Sequence, residues 1–109
     1  MTSIAFDGGV SVVDTIREQV PQDELLAQLA EEATELAHAA LKLRRVYNGV
    51  NPTPVKRQDA FANLKEEIAD VWLLVRVLGW DSPIGRMEYE RIMEAKLSRW
   101  LSRLKEVQP

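Results

Sequence analysis

Apolar residues recur every three to four positions through two long stretches of the chain, the spacing of amphipathic helices. In the first, Leu25, Leu29, Ala33, Leu36, Ala40 and Leu43 form a stripe flanked by Leu26, Ala30 and Ala37. In the second, the stripe is Phe61, Leu64, Ile68, Val71, Leu74, Val75 and Leu78. Punctuation residues bound both. Pro21 suits the first turn of the earlier helix, with Asp23 and Glu24 placed well for its dipole, and Asn48-Gly49 stops it after about Tyr47. Asn51-Pro52-Thr53-Pro54 reads as a rigid loop whose Thr53 caps the later helix, with Pro54 at its first position and Gly79 at its end.

Two further helices complete the pattern. Ser82-Pro83 repeats the cap-then-proline signal and opens a helix to about Glu106, striped by Met93, Leu97, Trp100 and Leu104. Before Pro21, Ser11 can cap a short helix from after Gly8-Gly9 to about Glu18, although Val10 to Val13 alone is ambiguous. Nothing else reads as a strand. The expectation is an all-α chain of four helices forming one domain over residues 1–109.

Several acids sit where an apolar residue belongs. Glu67 follows Leu64 by three positions and precedes Val71 by four, so it is embedded in the stripe of its helix. Asp70, three residues on, borders the same face. On the earlier helix Glu32 lies at the edge of the stripe between Leu29 and Leu36, and Glu35 projects from that side one turn further. Such pairs are common on solvated helix faces, and an interhelical salt bridge to Arg44 or Arg76 is a second ordinary explanation. An unpaired buried carboxylate is nevertheless costly. Two helices that each bring an i, i+3 pair to a core-facing stripe point to a shared cation. All-oxygen ligands suit hard Mg²⁺ or Mn²⁺ better than zinc.

Composition narrows the classes. Hydrophobic residues make up 46% and charged residues 28%, as in a water-exposed globular fold. A net charge of −3 disfavours a nucleic-acid polymer as partner. There is no cysteine, so thiolate metal sites are excluded. No run of apolar residues is long enough for a membrane span and none follows a basic N-terminal region, which leads to the expectation of a cytoplasmic protein with no membrane partner.

The runs Glu31-Glu32-Ala33-Thr34-Glu35-Leu36 and Glu66-Glu67-Ile68-Ala69-Asp70-Val71-Trp72 resemble the MazG-like family of all-α nucleoside triphosphate pyrophosphohydrolases, marked by Glu-x-x-Glu on one helix and Glu-x-x-Asp on the next. The resemblance spans roughly Leu25 to Arg103. The connection from Leu36 to Glu66 is long for that family, and the Asn48 to Pro54 loop is placed to absorb the excess. The resemblance implies a four-helix bundle completed by oligomerisation, as a homodimer or homotetramer. It implies that Glu32, Glu35, Glu67 and Asp70 hold Mg²⁺ (or Mn²⁺) and form the catalytic set, and that a bound water attacks the α-phosphorus of a nucleoside triphosphate. Lys96 and Arg99 match basic positions that follow the acidic motifs, and are expected to meet the substrate's phosphates. With Arg103 they form one basic strip, which is also what a solvated face near a helix C-terminus looks like.

Other residues carry less. Glu31 and Glu66 are turned about 100° from their acidic neighbours and are expected beside the site or in solvent. His38 follows Glu35 by three positions, but a di-iron bundle needs a second Glu-x-x-His and the chain has one histidine. Trp72 and Trp100 fall on apolar stripes and are expected in a core or subunit interface, whereas Trp80 beside Gly79 is freer. The alternative to an enzyme is a non-catalytic helical oligomer or regulatory protein with the same fold. For that reading Glu67 has no purpose.

Overall fold

A computed structural model describes residues 12–49 and 54–107. These form four helices and no strand: α1 over 12–19, α2 over Gln22–Asn48, α3 over Arg57–Val77 and α4 over Pro83–Val107. The all-α expectation holds for the described residues. The expected cap at Ser11 and the loop and cap at Asn51, Pro52 and Thr53 lie outside them.

Helix ends follow local chemistry, with two shifts from expectation. Pro21 stands just before α2, not within its first turn. Its extended backbone (φ −57°, ψ 146°) leaves its carbonyl to accept from the N–H groups of Glu24 and Leu25 at 3.0 and 3.1 Å. Helix α3 begins at Arg57, three residues after Pro54, with Lys56 in the capping position and its carbonyl accepting from Asp59 and Ala60. At the far end of α2, Gly49 takes the left-handed conformation (φ 67°) that closes a helix, and its N–H donates to Arg45 O at 3.0 Å.

The chain divides into two compact units, Met1–Leu78 and Gly79–Pro109. In the first, α2 and α3 pack as an antiparallel pair. Leu25 at the start of α2 is buried with Leu74 and Val77 at the end of α3, and Val20, Leu29 and Leu78 pack around them. Ala39 and Leu43 on α2 and Ala60 on α3 are also buried. Buried and half-buried residues include Leu25, Leu29, Glu32, Leu36, Ala39 and Leu43 on α2, and Ala60, Leu64, Glu67, Val71 and Leu74 on α3. Each series alternates steps of four and three, the spacing of a two-helix seam.

That seam is narrower than the stripes read from sequence. Ala40 and Ala33 are exposed, and Ala39 takes the interior place. Phe61 and Ile68, expected in the core, are 44% and 49% exposed, and Trp72 is 60% exposed. One partner helix covers only one arc of a wide apolar face. Residues about 100° around α3 from the seam are left uncovered.

Helix α1 is tied to the end of α3 through Arg17. Its Nε donates to Val77 O at 2.7 Å and its Nη2 to Arg76 O at 3.4 Å, while Nη1 pairs with Asp14 at 3.3 Å. The carbonyls at a helix C-terminus lack intrahelical donors and carry the negative end of its dipole, so a guanidinium satisfies both.

In the second unit, Ser82 and Pro83 open α4 as expected. Ser82 Oγ accepts from Gly85 N at 3.2 Å, and the Tyr89 hydroxyl donates to Trp80 O at 2.7 Å. Gly85 passes so close to the Trp80 carbonyl that a side chain there would collide with it. The apolar stripe of α4 is exposed along its length, from Met93 at 53% through Leu97 and Trp100, both at 61%. No helix of the described residues is long and apolar enough to cross a membrane.

Candidate metal centre

Seam geometry places two acids at the centre of the helix pair. Glu32 lies within the seam of α2 between Leu29 and Leu36, not at its edge as the stripe suggested, and Glu67 lies within the seam of α3 between Leu64 and Val71. The antiparallel register sets Glu32 against Asp70 and Glu35 toward Glu67. One carboxylate oxygen from each of Glu32, Glu67 and Asp70 lies within 4.8 Å of the other two. All three side chains are half-buried.

Like charges at such range oppose one another, and the structure registers it. Glu32 is held above its ordinary pKa first by desolvation, then by the neighbouring Asp70, and then by Glu67 and Glu35. Glu67 is raised by desolvation first, then by Asp70, Glu35 and Glu66. One oxygen of Glu67, Oε2, is buried with no hydrogen-bond partner. An interhelical salt bridge would leave that oxygen unexplained. Buried acceptors are nearly always satisfied, and the orphan oxygen of Glu67 together with the oxygens of Glu32 and Asp70 is a donor set of the kind a hard cation takes.

The residues predicted from sequence divide as follows. Glu32, Glu67 and Asp70 come together. Glu35 is exposed and outside the trio, yet close enough for its charge to act on both Glu32 and Glu67. Glu31 and Glu66 face solvent, as expected from their turn around the helix. Lys96 and Arg99 belong to the other unit, where both are exposed on α4 and Arg99 lines an open groove with Ser98, Ser102 and Arg103.

Sequence reading missed a cleft of about 310 Å³ between α2 and α3 that shares two of the acids. Glu35, His38, Lys42 and Arg45 line it from α2, and Asn63 and Glu67 from α3. His38 is exposed, and the acidic motifs assign no role to Lys42 or Arg45. The available signal was their spacing. Positions 35, 38, 42 and 45 fall within an arc of about 80° on one helix, so an acid and two bases share a face.

No family model, curated protein or solved structure matches this chain.

Proposed function

We propose that the protein is a Mg²⁺-dependent nucleoside triphosphate pyrophosphohydrolase of the MazG-like kind. The observation that carries this reading is the convergence of Glu32, Glu67 and Asp70 within 4.8 Å on facing helices, with Glu67 Oε2 buried and unpartnered. Glu35 stands beside that trio, its charge already acting on two of the three. A divalent cation bound here supplies charge neutralisation for a polyphosphate and lowers the pKa of a bound water. With the cation held by Glu32, Glu67 and Asp70, the neighbouring Glu35 would orient that water toward the α-phosphorus and take its proton. A new bond from water oxygen to phosphorus forms as the bond to the α–β bridging oxygen breaks, giving a nucleoside monophosphate and pyrophosphate.

Assembly is part of the proposal. In the first unit α2 leaves Trp72, Ile68 and Phe61 of α3 uncovered, and in the second unit Met93, Leu97 and Trp100 of α4 are exposed. Exposed apolar area on this scale marks an interaction surface, and a homodimer or homotetramer covers it with copies of the same chain. The same surface favours the second reading, a non-catalytic helical oligomer. Glu67 separates the two. A scaffold gains from Glu67→Leu and loses no activity.

The test is a panel of ribo- and deoxyribonucleoside triphosphates with Mg²⁺, scored for monophosphate and pyrophosphate, alongside Glu67→Gln. At least one substrate is expected to be turned over by the native chain and none by the variant, with helicity retained in both. Failure of every triphosphate would remove the enzymatic reading.

A further inference from the structure

The cleft between α2 and α3 carries charges of both signs that do not neutralise one another. Glu35 and Glu67 stand with the metal centre, and Lys42 and Arg45 lie toward the C-terminal end of α2. Among the described residues neither Lys42 nor Arg45 has an ion-pair or side-chain hydrogen-bond partner, although both are half-buried and share the cleft with two carboxylates. Position in the last turn accounts for a cation at Arg45 through the helix dipole. It does not account for Lys42 a turn earlier, nor for both lining one cleft.

Helical geometry sets the spacing. Lys42 follows Glu35 by seven residues, about 10 Å along the axis. Side chains on a helix lean toward its N-terminus, and Lys42 and Arg45 line one cleft with Glu35. Asn63 faces them from α3 with an amide able to donate, and His38 stands between the acidic and basic positions. A ligand that fits must present positive charge at the acidic end and negative charge at the basic end. A polyphosphate complexed with a divalent cation has that polarity.

We propose that Lys42 and Arg45 form a phosphate-binding subsite, holding the phosphate groups of a metal-complexed polyphosphate whose cation sits at Glu67 and its neighbours. This assignment rests on the metal-centre reading above and adds to it the residues that grip the anion. Lys42 contributes a point charge, and Arg45 a planar fork suited to two phosphate oxygens.

The probes are Mg²⁺ alone and inorganic pyrophosphate with and without saturating Mg²⁺, titrated calorimetrically into the full chain. The variants are Lys42→Gln, Arg45→Gln, the pair together, and the charge-keeping Lys42→Arg, each checked for native helicity. In the double variant Mg²⁺ affinity is expected to stay within about twofold, while Mg²⁺-pyrophosphate binding weakens by about tenfold or more. Lys42→Arg is expected to keep most of the affinity that Lys42→Gln loses. Native-like pyrophosphate binding by the double variant overturns the subsite, as does failure of the native chain to bind pyrophosphate at all. Failure of the native chain to bind Mg²⁺ strikes the metal centre instead. Pyrophosphate binding that still depends on Lys42 and Arg45 in that event sustains the anion subsite on its own.

Discussion

Glu32 and Asp70 face one another across the antiparallel α2–α3 pair, each bringing a carboxylate oxygen within 4.8 Å of the other and of one from Glu67. In the absence of a cation this arrangement works against the fold. Glu32 and Glu67 have folded-state pKa values raised above their ordinary ones, so the folded chain binds protons more tightly than the unfolded chain. The contribution of these two groups to stability is then greatest below the ordinary glutamate range and falls as pH rises through the raised values. With chelator present, denaturant midpoints of Glu67→Gln and the native chain should nearly coincide near pH 4 and diverge toward pH 7, the variant being the more stable. A constant difference across that range would mean that Glu67 is not strained.

Mg²⁺ should reverse this trend. The cation needs the ionised carboxylates, so its affinity should rise with pH and its binding should release protons near the raised pKa values. At a hundred times its dissociation constant it should stabilise the native chain by about 2.7 kcal/mol. Glu67→Gln should lose most of that gain. Equal stabilisation of both proteins by Mg²⁺ would place the ion elsewhere.

Arg17 predicts a structural effect independent of the acids. Its guanidinium donates to Val77 O and Arg76 O at the open end of α3. Arg17→Met should keep much of the side-chain packing and lose those bonds, costing about 1–2 kcal/mol by chemical denaturation. The metal affinity should not change.

At the start of α4, helix propensity and local packing make opposite predictions. Replacing glycine by alanine within a helix ordinarily adds stability. Gly85, however, passes against the Trp80 carbonyl that the Tyr89 hydroxyl also holds at 2.7 Å. Gly85→Ala should therefore loosen this turn and speed amide exchange over the first residues of α4. Slower exchange there would show that the carbonyl yields easily.

Periodicity was enough to reveal the helices and the anomaly at Glu67, because an acid three residues after Leu64 and four before Val71 has nowhere to point but inward. It misjudged which part of each apolar face is covered. Phe61 and Ile68 share a stripe with Leu64 and Val71, but a single partner helix buries only the Leu64–Val71 side. Ala39 displaced Ala40 for the same reason. The cleft needed more than periodicity. That Lys42 and Arg45 lie with Asn63 and Glu67 depends on the register of α2 against α3. Neither helix's own pattern fixes the register, since sliding by a turn keeps both seams apolar while separating the acids.

The central claim is that Glu67 and its neighbours form a divalent-cation site, and Mn²⁺ reads it most directly. Electron paramagnetic resonance of a Mn²⁺ titration reports the free ion alone. The native chain should suppress that signal, Mg²⁺ should restore it by competition, and Glu67→Gln should leave it nearly undiminished. An equal loss of signal with native chain and variant, or none with either, would contradict the site.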